Sequence, residues 1–341
     1  MSLLWIEGFE GYGPVSTAVY TLMPYRGYAS VFNTTQPIIA TGRTYGYSLY
    51  NGSTSVPATF ATPELTIDPT LITGFAVNFN YTTYSFTLAY YDGATLGISI
   101  VINPSNPSTI QVYLGESLIS TYSDFTFAQA TWYYLETKVF CHATSGTIEV
   151  RINNTTVISL IGINTKAGAD AYYNQIYYTL PAHGYVDDLY ICDGSGSAQY
   201  NFLGPCCVLG ILPSADTATI DWIPSTGATH YNLVNIDYSG ATYVKSSISG
   251  DEDLYTYPAL TNPETIIALQ INSAAAMDAD GTSAIIESPI TSDSVTDYGT
   301  DTTVSSTTYN DARHISTTDP STGLPWTLAG LAAAQIGIKV M

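Results

Sequence analysis

Glu136 in LETK and Glu149 in IEVR are the strand carboxylates that invite a search for acid/base chemistry. Two carboxylates working on one glycosidic bond must face one cleft, and a strand would deliver them at i, i+2 as in E-x-D-x-E. No such strand occurs. Each Glu instead has a cation two residues on, Lys138 and Arg151, which strand alternation puts on the same face. Solvated surface ion pairs account for both. Asp251-Glu252-Asp253 follows Gly250, and mutual repulsion suits this run to a solvated turn. The histidines, His142, His183, His230 and His314, stand in unrelated settings without a G-x-S-x-G elbow, so structural or surface roles are expected. Gly194-Ser195-Gly196-Ser197 has neither the spacing nor the following helix of a phosphate cradle. Asp278-Ala279-Asp280-Gly281 opens like a calcium loop but lacks the closing Glu, and reads as a hairpin turn. No catalytic residue is assigned, and no enzyme is expected.

The elements that position these groups are strands. Lys, Glu, Arg and Gln are scarce, whereas Thr, Ser, Val, Ile and the 29 Tyr suit pleated, half-buried surfaces. Phe75, Val77 and Phe79 alternate with smaller or polar residues, as do Tyr84, Phe86 and Leu88, and Asp92-Gly93 supplies a hairpin turn. Leu328 to Ala334 is the one plausible helical turn. The 341 residues favour two domains, with bounds expected at 1–203 and 204–341. Eight Lys and Arg against 28 Asp and Glu give a formal net charge of −20, which excludes neutralising a run of phosphates or holding to an anionic membrane. No apolar run is long enough to span a bilayer. The N-terminus lacks a basic region, Glu7 and Glu10 interrupt any apolar core, and no secretion signal is expected. Cys141, Cys192, Cys206 and Cys207 are then expected to be reduced thiols.

WIEGFEGYG at 5–13, GRTYGYSLYN at 42–51, TWYYLETKVF with SGTIEVRINNTTV, and GYVDDLYICDGSG at 184–196 resemble successive strands of a concanavalin A-like, laminin-G-type jelly roll. The resemblance implies an all-β chain: a jelly-roll sandwich, then a smaller β-rich domain. With the back half (DW-PS, HY, TYV, GD-D-LY, DP-TG-PWT, GIKV), the chain resembles tailed-bacteriophage virion proteins. That likeness implies a non-enzymatic structural protein of the virion, assembled in the host cytoplasm. It would decorate the capsid or form part of the tail, through homo-oligomeric contacts and contacts to other virion proteins. The alternative is a host-glycan-binding adhesin or polysaccharide depolymerase of the tail, with a lectin-like face. Related jelly rolls tie the first strand to the last with calcium, so the resemblance also implies a structural calcium at Glu7, Glu10, Asp187 and Asp188, with Glu10 and Asp187 as leading side-chain ligands. Alternation sends Asp187 and Asp188 to opposite faces, so only one can enter a site. The alternative is that these acids flank edge strands and face water.

Overall fold

The structure, a computed structural model, describes every residue except 1–2, 13–18, 20–22, 32–36, 66–67, 228, 236–241, 262–264, 280 and 282. Two compact units result, Met1–Gly210 and Ile211–Met341, with antiparallel pairing throughout the described strands. Residues 204–210, assigned from sequence to the second domain, belong to the first unit.

The strands of the first unit are β1 (Leu3–Glu7), β2 (Ser30–Val31), β3 (Pro37–Thr41), β4 (Tyr47–Asn51), β5 (Ala58–Ala61), β6 (Thr70–Phe79), β7 (Phe86–Asp92), β8 (Thr95–Asn103), β9 (Thr109–Leu114), β10 (Ser117–Tyr122), β11 (Trp132–Phe140), β12 (Gly146–Ile152), β13 (Thr155–Ile163), β14 (Gln175–Leu180) and β15 (Gly184–Asp193). One sheet runs β13-β12-β11-β6-β15-β4-β3, with β1 also on β15; the other runs β10-β9-β8-β7-β14-β5-β2. This is the concanavalin A-like jelly-roll sandwich, and a smaller β-rich unit follows it.

Period-two alternation builds the core. β6 sends Phe75, Val77 and Phe79 inward, and β14 answers with Ile176, Tyr178 and Leu180, all fully buried. Each such side chain contributes roughly 1.5–3 kcal/mol by leaving water. Two buried hydrogen bonds cross between the sheets, Thr73 Oγ1 with Tyr178 Oη (2.7 Å) and Tyr90 Oη with Thr137 Oγ1 (2.5 Å). They let large aromatics enter the core with their hydroxyls paired. The β7–β8 hairpin turns at Gly93 (φ +55°), and β12–β13 turns at Asn153-Asn154, both left-handed as a primed turn requires.

Strand β15 organises one end of the first sheet. Its free edge is shared: Tyr185 and Val186 pair with β4, whereas Leu189 to Cys192 pair with β1. Between them the register to β6 shifts, and Asp188 takes φ +51°. A bulge of this kind re-aims side chains, so the expected alternation of Asp187 and Asp188 fails. Both carboxylates meet Arg43: its main-chain N–H donates to Asp187 Oδ2 (2.7 Å) and its Nε to Asp188 Oδ2 (2.6 Å).

In the second unit, Ala215–Ile220, Glu252–Thr256, Gln335–Val340, Ala284–Glu287 and Thr302–Val304 form the path of the largest sheet. Leu269–Ala275 pairs separately with Asn310–Ser316. Ile290, Trp326, Leu331, Ala334 and Ile336 make one core cluster. The helix Leu328–Ala333 starts at Thr327, whose Oγ1 accepts the Gly330 N–H (3.0 Å). The acidic run at 251–253 is not a solvated turn. Asp253 lies in the strand Glu252–Thr256 and is wholly buried, because main-chain and ring donors satisfy it.

Candidate functional site

At the β15 bulge the structure gathers all four carboxylates singled out in the sequence, and gives them different partners. Glu7 Oε1 accepts the Phe9 N–H (2.8 Å), Glu7 Oε2 accepts the hydroxyls of Tyr12 and Tyr28, and Arg26 lies 3.6 Å from Oε1. Asp188 is held by Arg43 Nε and by the Val208 N–H (2.7 Å). These two acids are committed to protein donors, and Asp187 accepts the Arg43 N–H on Oδ2 (2.7 Å) and the Asp188 N–H on Oδ1 (2.8 Å), which leaves it only its remaining lone pairs. Glu10, in the 3-10 turn Glu10–Tyr12, has its Oε1 buried without a hydrogen-bond partner. Burial, then the charges of Asp187, Glu7 and Asp188, push its carboxyl up to about 10. Asp187 is likewise pushed up to about 8, first by burial and then by Asp188, against the opposing pull of the Arg43 N–H.

Glycines open the space around these two acids. A Cβ at Gly46 would fall 2.7 Å from Glu10 Oε1, and one at Gly42 would meet Asp187 Oδ2 (3.0 Å) and the carbonyl oxygens of Tyr45 and Tyr47. Asp187 therefore shares its surroundings with main-chain oxygens, which suits a hard cation. Among the described residues no three His, Cys, Asp or Glu side chains are grouped as metal ligands. A calcium ion here would take Glu10 and Asp187 and complete its shell from carbonyl oxygens and water. The sequence-level calcium-loop start at 278–281 includes Asp280, which lies outside the described residues.

Glu136 is corrected outright. It is 0% exposed, not part of a surface pair with Lys138. Its Oε1 accepts from Tyr190 Oη (2.6 Å) and from the Gly204 N–H (2.8 Å), because residues 201–208 lie across the outer face of the first sheet. The Leu203 N–H donates to Tyr190 Oη (3.1 Å), Arg43 Nη2 donates to the Cys206 carbonyl, and Lys138 reaches Asn201. Glu149 and Arg151 do form the expected ion pair at 2.8 Å. Of the histidines, His230 Nδ1 meets Asp253 Oδ2 at 2.7 Å, and His314 bonds the Ser288 carbonyl and Asp297.

The outer face of the second sheet is different in kind. Three cross-strand rows lie on it: Thr59, Thr179, Thr87, Val101 and Gln111; Tyr177, Ala89, Ser99 and Tyr113; and Gln175 with Tyr91. None of these eleven side chains is charged. Ala89 and Ser99 point outward yet are only 7% exposed, two small side chains between the larger Tyr177 and Tyr113 in one row. Four strands at about 4.8 Å spacing put those tyrosines about 14 Å apart. The Tyr91 and Tyr177 rings sit 4.4 Å apart, and Tyr113 Oη donates to Gln111 Oε1 (3.1 Å). Burial, and then Tyr177, hold the Tyr91 phenol above its ordinary range, so its hydroxyl is a neutral donor and acceptor near neutral pH. The face offers ring surfaces for stacking, amides and hydroxyls for hydrogen bonds, and phenols as the groups able to move a proton. Sequence reasoning missed it. The β7–β8 hairpin register was the available signal, since it places Ala89 opposite Ser99.

No family model and no curated protein matches the chain. Solved structures resemble about half of it. An alginate lyase in complex with an alginate trisaccharide is 15% identical with a TM-score of 0.43, covering 56% of this chain and 97% of its own. The catalytic domain of a glycoside hydrolase family 131 protein from Coprinopsis cinerea is 12% identical, TM-score 0.39, covering 58% and 97%. The carbohydrate recognition domain of Emp46p is 9% identical, TM-score 0.37, covering 56% and 100%. The likeness is one of fold. These neighbours are polysaccharide-acting enzymes and a carbohydrate recognition domain, and none is a phage protein. The expectation of a non-enzymatic capsid or tail component is corrected against them, and so is the exclusion of an enzyme.

Proposed function

We propose that the first unit holds a neutral glycan chain on the outer face of its second sheet. The observation that carries this reading is the absence of charge from eleven outward side chains in a protein of net charge −20, together with the small Ala89 and Ser99 that stand between Tyr177 and Tyr113 in one row. An anionic polysaccharide would meet an acidic molecule and no cation on this face. A neutral one meets Tyr rings for its C–H faces and Thr, Ser and Gln groups for its hydroxyls. Glu10 and Asp187, bridged by calcium, would secure the junction of β1, β4 and β15 in the opposite sheet. On a virus particle, the setting that the sequence resemblance implies, such a face would serve attachment to a glycan-coated cell.

The test is an array of neutral oligosaccharides followed by titration calorimetry of the full chain. Ala89→Trp puts a large side chain between Tyr177 and Tyr113 and should abolish binding while leaving the melting temperature within a few degrees. Release of reducing or unsaturated sugar ends, measured in parallel, separates a face that cuts from one that only holds. If no neutral glycan binds, or Ala89→Trp binds as well as the parent, the reading fails.

A further inference from the structure

The outer face of the first sheet is covered where residues 201–208 cross it, burying Tyr134, Glu136 and Tyr190. At the end near Trp132 it carries a cross-strand row, Tyr50, Tyr185, Asn78 and Trp132 from β4, β15, β6 and β11, whose aromatic members are half-buried. Residues directly opposite one another share a face. Tyr50 and Tyr185 stack with centroids 4.3 Å apart, and Trp132 meets Tyr185 edge-on at 6.0 Å. His183 Nδ1 lies 2.7 Å from Tyr50 Oη, and Tyr81, 47% exposed, stands edge-on to His183 at 4.8 Å. In the middle of the row Asn78 is only 9% exposed, and its Oδ1 is buried with no hydrogen-bond partner.

Two costs coincide here. Several aromatic rings remain partly in water, and an amide acceptor is withheld from it. An apolar partner side chain would cover the rings but leave Asn78 Oδ1 buried and unpaired. A pyranose ring relieves both, because it has a C–H face and a rim of hydroxyl donors. We infer that this row is a second saccharide site, which takes a single neutral pyranose with its C–H face against Trp132 and, as the side chains over the amide part, one hydroxyl donating to Asn78 Oδ1. His183 and Tyr81 wall one side. The row shares no residue with the face proposed for the glycan chain and lies on the other sheet, so the two stand or fall separately.

The test titrates the full chain with methyl glycosides of glucose, galactose, mannose and N-acetylglucosamine, read by saturation-transfer NMR and by shifts of the tyrosine ring signals. At least one glycoside should bind. Asn78→Leu, which removes the acceptor, should weaken it about tenfold or more. Trp132→Ala and Tyr81→Ala should weaken it too, the latter at an exposed position where folding is not at stake. Ala89→Trp should leave this binding unchanged. Binding of none of the four glycosides overturns the inference, as does binding that survives both Trp132→Ala and Tyr81→Ala. Uptake of an apolar dye such as anilinonaphthalene sulfonate at this row, with no glycoside bound, would mark a protein-contact patch and overturn it as well.

Discussion

Asp253 accepts four hydrogen bonds while wholly buried: the N–H groups of Asp221 and Trp222 on Oδ1, and His230 Nδ1 and Tyr255 Oη on Oδ2. Removing such an acceptor strands its donors away from water. Asp253→Ala should therefore cost the second unit about 3 kcal/mol or more. Urea denaturation followed by Trp fluorescence measures this, and a loss under about 1 kcal/mol would contradict the network's importance. The residue shows why single positions were hard to read in the sequence. Three consecutive acids signal repulsion and solvation, whereas only one of the donors that overrule it, Tyr255, is a near neighbour; the other three come from residues 221, 222 and 230, and no local spacing announces them. Glu136 was misread for the same reason, its partners being Tyr190 and the Gly204 main chain. Glu149 and Arg151 were legible because both partners sit on one strand.

Strands were the legible elements. The alternation of Phe75, Val77 and Phe79 and the Asp92-Gly93 turn are local patterns, and each appears where those patterns put it. The segment 201–208 has no period to read, and the domain boundary expected between 203 and 204 falls inside it. It docks through main-chain N–H groups, which every non-proline residue has and no pattern reveals. Its attachment gives an element-scale prediction. The amides of Leu203, Gly204 and Val208 should exchange slowly with solvent, since each donates to a side chain of the sheet. Glu136→Ala removes the acceptor of the Gly204 N–H and should speed exchange at Leu203 and Gly204 far more than within β7 or β14. Equal exchange in parent and variant would show that the segment is held by other contacts. The bulge at Asp187-Asp188 was illegible for a related reason: it arises where β4 gives way to β1 along one edge of β15, a consequence of pairing between distant parts of the chain.

At the scale of the whole molecule, the charge of −20 bears on stability through the Glu10 and Asp187 carboxyls, raised to about 10 and about 8. A carboxyl whose folded-state value lies above its ordinary one is favoured when protonated. Its contribution is complete below the unfolded value, near 4, and is lost as pH rises through the folded value. Cation-free protein should thus melt at progressively lower temperature between about pH 5 and about pH 9. Glu10→Gln, neutral at every pH, should make that slope shallower, leaving the part that Asp187 contributes. Calcium binds the ionised carboxylates, so it should raise the melting temperature, and by more at the alkaline end, where fewer protons must be displaced. Scanning calorimetry of the full chain with EDTA and with added calcium, for the parent and Glu10→Gln, decides the matter. If EDTA and calcium give the same melting temperature across the range, Glu10 and Asp187 do not share a cation. If the slope is no shallower in Glu10→Gln, the pH dependence arises from Asp187 or elsewhere among the 28 acids. A calcium effect that vanishes with Glu10→Gln would tie the closure of the β1, β4 and β15 junction to the ion, apart from any sugar the sandwich binds.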